Sequence, residues 1–120
     1  MTAIIVGLCG GAGALARFLL DSGIRRVWPI RFPVATVLIN LTGSALLGVI
    51  VGYVATGAPT SVGAAVGIGF CGGYTTFSTA MVETVALLRE RRVLASMCTL
   101  LGQPVVCVLA AAGAYALAAG

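Results

Sequence analysis

The chain has 120 residues, of which 60% are hydrophobic and 8% charged. A soluble domain carries about 25% charged residues. This composition, with a mean hydropathy of +1.14, excludes a water-soluble globule of this size. All seven basic residues are arginines and the formal net charge is +4, yet all but Arg17 gather in two short clusters, which argues against a nucleic-acid-binding face.

One domain is expected from the length. The first apolar segment runs over about 2–20 and ends at Asp21, Ser22 and Gly23. It lacks the positively charged start of a signal peptide, and glycines run through it, so a retained first helix is expected. The connector to Phe32 carries Arg25, Arg26, Arg31, Trp28 and Pro29. Trp suits a membrane interface, with an apolar ring and a polar N–H.

The second apolar segment covers about 33–56, and Pro33 suits the first turn of a helix, where its missing N–H costs nothing. Gly57, Ala58, Pro59 and Thr60 form a short uncharged turn. The third segment covers about 61–88, and Gly67, Gly69, Gly72 and Gly73 crowd its middle, followed by Tyr74, Thr75 and Thr76. Glycine weakens a helix interior, and a broken span is tolerated only where protein or a water-filled cavity satisfies its backbone. The pattern predicts two half-helices with a break near 72–76, the second capped by hydroxyls. One continuous glycine-rich helix is the alternative. The fourth segment covers about 93–118, with Pro104 a potential kink. The predicted fold is therefore an all-α integral membrane protein with four transmembrane helices, the third broken at mid-membrane.

With four spans, the first and third connectors share one side, and these hold the two arginine clusters: Arg25, Arg26 and Arg31, then Arg89, Arg91 and Arg92. The other side, with both termini and the Gly57–Thr60 turn, has no Lys or Arg. The positive-inside rule then places both arginine connectors in the cytoplasm and both termini outside, in one fixed orientation.

Polar residues within the spans are the candidate functional groups. Thr36, Asn40, Ser44, Gly48 and Gly52 repeat every fourth residue. Asn40 reads either as interhelical glue or as a donor on an ion path. Ser96, Thr99, Gln103 and Cys107 share one face of the fourth helix. Arg17 reads as snorkelling to the interface, and Glu83 as reaching a vestibule or the interface. Gly7, Gly11 and Gly13 read as packing residues, since Gly7-x-x-x-Gly11 and Gly63-x-x-x-Gly67 have the spacing of close helix contacts. Cys9, Cys71, Cys98 and Cys107 form no C-x-x-C, and the chain has no histidine. A zinc site is not expected, and the cysteines read as small packing residues. No catalytic constellation is present, so an enzyme is not expected.

Three segments carry a family resemblance: Gly10-Gly11-Ala12-Gly13-Ala14-Leu15-Ala16-Arg17-Phe18; Phe32-Pro33 through Asn40-Leu41-Thr42-Gly43-Ser44; and Gly69-Phe70-Cys71-Gly72-Gly73-Tyr74-Thr75-Thr76-Phe77-Ser78-Thr79, followed by Glu83. In these, and in length and layout, the chain resembles the Fluc (CrcB) fluoride channels of microbial membranes. The resemblance implies a fluoride-specific ion channel subunit in the cell membrane, allowing passive export of fluoride and so reducing its toxicity. It implies an antiparallel dimer with two narrow pores, and a structural sodium ion held at the dimer centre by backbone carbonyls of Gly72 and Thr75. Asn40 matches the pore asparagine, Phe77 the first of two pore phenylalanines, and Glu83 a vestibule glutamate. A phenyl edge is electropositive and can face an anion. Ser78, Thr79, Thr36 and the fourth-helix track with Gln103 are candidate fluoride donors.

Two features depart from that pattern. Ala80 stands where the second phenylalanine is expected, and Gln103 and Cys107 stand where hydroxyl residues are more typical. The one-sided arginines also conflict with a homodimer of oppositely inserted copies. The expected partner is therefore a related, oppositely oriented subunit, with a homodimer as the alternative. A non-conducting partner subunit is one competing function. A small multidrug-type proton-coupled transporter is another, but it needs a first-helix carboxylate that the reading above does not supply.

Overall fold

A computed structural model describes residues 2–29 and 33–120; Arg31 and Phe32 lie outside the described residues. Every regular element among the described residues is helical. Helix α1 spans Thr2–Val27 and α2 spans Val34–Ala55. Helix α3 covers residues 60–74 and is widened to π geometry over Gly63–Cys71. Helix α4 spans Ser78–Arg89. Helix α5 covers Val93–Ala119, with a π stretch at Cys98–Gly102. That stretch lies just before Pro104, which has no N–H and whose ring crowds the carbonyl one turn earlier. The helix widens there and runs on.

Three of these helices, α1, α2 and α5, are long and apolar enough to cross a membrane. The distribution of polarity agrees. Thr36, Thr84, Ser96, Thr99 and Gln103 are buried, while Leu8, Phe18, Leu94 and Leu117 are largely exposed. In water that arrangement would be inverted; in hydrocarbon it is the favourable one. The chain is a multi-pass membrane protein.

Two close helix pairs build the body. Helix α1 lies against α3: a Cβ on Gly13 would stand 2.1 Å from the Phe70 carbonyl oxygen, and one on Gly73 would stand 2.0 Å from that of Gly10. Helix α2 lies against α5, where a Cβ on Gly48 would stand 2.2 Å from the Ala111 carbonyl oxygen. Contacts this close let backbones meet where lipid offers no hydrophobic drive to association. Gly63 and Gly67 face Val54, Leu47 and Ile50, but a Cβ added at Gly7 or Gly11 would meet nothing within 4 Å among the described residues. Of the three glycines read as packing residues, Gly13 meets α3 together with Gly10, whereas Gly7 and Gly11 are turned away from it.

Helix α1 also outruns its expected end at about residue 20. Asp21 does not terminate it, because Arg25 Nε donates to Asp21 Oδ1 across one turn at 2.8 Å, a spacing that supports a helix. Asp21 therefore belongs to the first helix, where the sequence reading placed no carboxylate, and it is occupied by an ion pair. Between α2 and α3, Gly57 turns the chain with φ 117, a conformation that costs residues with a Cβ.

The bonds between elements bring the end of α1, the start of α2, the later turns of α4 and the start of α5 to one end of the molecule. Arg25 reaches Glu83, and Ser96 Oγ donates to the Thr84 carbonyl at 2.9 Å. Arg25, Arg26, Arg89, Arg91 and Arg92 accordingly lie toward that end.

Candidate ion pathway

Helical geometry stops after Tyr74 and resumes at Ser78. The cause is local. In a continuing helix the Thr76 N–H would bond the Gly72 carbonyl; here it donates to Asn40 Oδ1 at 2.8 Å. Thr75 has extended backbone, with φ −80 and ψ 158. The Thr76 hydroxyl then accepts from the Thr79 N–H at 3.3 Å, serving a free donor of the new helix. On the other flank, Tyr74 Oη and Thr42 Oγ1 are 2.9 Å apart, which ties α3 to α2.

Asn40 is the hub of this region. Its Nδ2 donates to the Thr76 carbonyl at 2.9 Å and to Gln103 Oε1 at 2.7 Å. The directions follow from one another. A backbone N–H can only donate, so the Asn40 atom facing the Thr76 N–H is oxygen. Its other terminal atom is then a nitrogen without acceptor capacity, so the Gln103 atom facing it must be Oε1. Gln103 Nε2 is left buried with no hydrogen-bond partner among the described residues. The Thr99 hydroxyl, one turn earlier on the same face of α5, is also buried and unpartnered. Gln103 is 6% exposed and Thr99 1%, so water does not freely serve them. A buried donor left unmade costs about 1–3 kcal/mol, and such groups mark a place where something else accepts.

Both residues line a cavity of about 450 Å³ bounded by α2, α3, α4 and α5. Asn40, Gly72, Thr75, Phe77 and Ala80 line it as well. Phe77 is 76% exposed and Ala80 5%: the phenyl ring stands at the open rim, and the small side chain leaves room behind it. A second cavity of about 170 Å³ is lined by Arg17, Asp21, Thr36 and Thr79. Thr76 lines both cavities and so stands between them.

Of the residues singled out from the sequence, Asn40, Phe77, Gln103, Gly72, Thr75 and Ala80 thus share the larger cavity. Thr36 and Thr79 line the smaller one. Glu83 accepts a hydrogen bond from the Thr36 hydroxyl beside it. Ser78 is exposed and lines neither cavity. Sequence reasoning gave Arg25 only a topological role, yet its Nη2 lies 3.0 Å from Glu83 Oε2. No periodicity could have signalled that contact, which joins positions 58 residues apart. Cys9, Cys71, Cys98 and Cys107 are free thiols. No cluster of acidic, Cys or His side chains suited to a metal occurs among the described residues.

The sequence profile of the family described as CrcB-like protein, Camphor Resistance (CrcB), matches residues 4–115. Among curated relatives, the chain is 42% identical over 103 residues to Fluoride-specific ion channel FluC 1 of Leifsonia xyli subsp. xyli, covering 85% of this chain and 75% of the relative. It is 46% identical over 115 residues to Fluoride-specific ion channel FluC 2 of Cutibacterium acnes, covering 92% of each. To Fluoride-specific ion channel FluC 2 of Mycobacterium bovis it is 40% identical over 106 residues, covering 88% of this chain and 82% of the relative.

Proposed function

The chain belongs to the CrcB family, and from that premise we propose that it is a fluoride-specific ion channel subunit through which fluoride leaves the cell passively. It is an ion-channel protein and not an enzyme. The observation that carries the reading is the pair of buried donors without an acceptor, Gln103 Nε2 and Thr99 Oγ1, on two residues that line the larger cavity. Fluoride is a small, strongly hydrated anion, and to leave water it must exchange hydration for N–H and O–H donors. Hydrogen bonds to a charged acceptor are roughly twice as strong as neutral ones. On this reading fluoride passes Phe77, Gln103 and Thr99, with Asn40 holding the Gln103 amide in its donating sense. Thr36 and Thr79 serve the smaller cavity, Glu83 stands at its mouth, and Ser78 contributes only where a partner subunit covers it.

Helices α3 and α4 together form the third of four spans, broken over residues 75–77 at mid-membrane. The break is compatible with a structural sodium ion. Asn40's capture of the Thr76 N–H removes the ordinary helical partner of the Gly72 carbonyl, and nothing stands within 4 Å of a Cβ at Gly72. Gly72 and Thr75 would hold the ion through backbone carbonyls, and its charge would fix the ends of two half-helices. Such a site lies on the surface where an antiparallel partner would meet this chain.

The partner we propose is a related subunit of opposite orientation, because the arginines of this chain gather at one end. By the positive-inside rule that end is cytoplasmic, and both termini are external. Cysteines placed at each terminus and tested with a membrane-impermeant thiol reagent on intact cells should label at both ends, whereas labelling of half the population would mean dual insertion.

Fluoride efflux from liposomes, read with a fluoride electrode and repeated with chloride, tests the function. Fast fluoride efflux without chloride efflux is expected once the companion subunit is present, and replacing sodium by a bulky organic cation should slow it. Selective efflux from this chain alone would establish a homodimer and sink the two-subunit reading. No fluoride efflux under any condition would reject the channel function.

A further inference from the structure

Asp21, in the last two turns of α1, lines the smaller cavity. One guanidinium there holds two carboxylates: Arg25 Nε is 2.8 Å from Asp21 Oδ1, and Arg25 Nη2 is 3.0 Å from Glu83 Oε2. The other carboxylate oxygen of Glu83 accepts from the Thr36 hydroxyl. Thr36 is 1% exposed, and the Glu83 side chain is 17% exposed against 47% for Arg25. Arg25 therefore holds Glu83 from the solvent side while Thr36 holds it from the protein side. Through this one carboxylate, α1, α2 and α4 are tied together.

The charges at this place matter to an anion. Arg17 and Asp21 line the cavity from α1 and Thr36 from α2; Glu83 of α4 stands beside it, bonded to Thr36, and Arg25 bonds both Asp21 and Glu83. Two carboxylates stand against two guanidinium groups, so the mouth is close to neutral. Without Arg25 the balance turns negative at the place where an anion would enter, and Glu83 loses the partner that fixes its rotamer. Partial burial makes an uncompensated charge act more strongly than at an open surface.

We propose that Arg25 is a positioning residue of the ion pathway: it pins Glu83 against Thr36 and cancels the acidic charge at the mouth of the smaller cavity, keeping that mouth permissive to a small anion. The proposal rests on the channel function above for its flux readout, and on electrostatics alone for a second one.

In liposomes holding the conducting channel, Arg25→Gln should lower fluoride efflux roughly tenfold at low ionic strength, an effect that added salt largely removes because mobile ions screen the exposed part of the field. Arg25→Lys should retain most of the efflux, and Arg25→Gln with Glu83→Gln should recover most of it. The second readout needs no flux. With Thr79→Cys as reporter and labelling at position 79 read by mass spectrometry, the rate ratio of an anionic to a neutral thiol reagent should fall roughly tenfold in Arg25→Gln and return in the double variant. A wild type that passes no fluoride would reject the channel function, and the labelling ratio would still decide the role of Arg25. An unchanged ratio, or an efflux loss that neither salt nor Glu83→Gln restores, would overturn the proposal and reduce Arg25 to a helix-end fastener.

Discussion

Gly73→Val is expected to abolish folding of the chain. A Cβ at position 73 would lie 2.0 Å from the Gly10 carbonyl oxygen and 2.8 Å from its carbonyl carbon. These are backbone atoms, which cannot turn aside as a flexible side chain can. The neighbouring contact is just as tight, since a Cβ at Gly13 would meet the Phe70 carbonyl oxygen at 2.1 Å. Helix α1 would have to part from α3, losing both contacts and shifting Thr75 and Thr76, which shape the larger cavity. Overpacking costs about 1–3 kcal/mol when the surroundings can adjust and more when they cannot. We expect no monodisperse protein from detergent extracts of this variant. Gly23→Ala is the control, because nothing lies within 4 Å of its Cβ and alanine favours the helix by about 1 kcal/mol. Size-exclusion chromatography and thermal unfolding decide the matter; a Gly73→Val protein that elutes and melts like its parent would refute the α1–α3 contact.

Gln103→Glu is expected to block conduction with the fold intact. The two side chains have the same shape, and either carboxylate oxygen can accept the 2.7 Å bond from Asn40 Nδ2. The remaining oxygen then occupies the place of the Gln103 amide nitrogen. A donor becomes an acceptor carrying negative charge, on a residue that lines the cavity the anion must enter. Two like charges about 4 Å apart at an effective dielectric constant of about 20 repel by about 4 kcal/mol, so fluoride efflux should fall by at least about a hundredfold. Gln103→Met removes the donor without adding charge and should cost roughly tenfold, about the worth of one hydrogen bond to a charged group. Efflux from liposomes with matched protein content measures both. Parental conduction by Gln103→Glu would show that the unpartnered amide is not on the pathway, and the donor reading of the site would be lost.

The membrane character of the chain was legible in its composition, because transfer of an apolar segment into lipid depends on the residues of that segment alone. The glycines and hydroxyls over residues 67–76 announced that α3 would be hard to continue, since the cost of glycine in a helix is also local. The family could be read from Gly69 to Thr79 with Glu83, and the comparisons agree. Local rules failed where distant groups take part. Asp21, Ser22 and Gly23 resemble a helix stop after about Leu20, but Arg25 closes a bond to Asp21 and the helix continues. Gly7 and Gly11 have the spacing of a packing pair, yet rotation of α1 turns Gly10 and Gly13 to α3.

The site divides in the same way. Asn40 and Gln103 were each recognisable as polar groups too costly to bury without purpose. Their union, across 63 residues of chain, and the sense in which Gln103 presents its amide depend on the Thr76 N–H being free to orient Asn40. Arg25 was legible only as positive charge, and its hold on Glu83 depends on how α1 meets α4. Sequence by itself determined which segments enter the membrane and which polar residues go with them, because each of those energies belongs to a single helix. Tertiary structure alone decided which donors are consumed and which are left without an acceptor, because hydrogen-bond direction is settled between helices by how they cross and rotate.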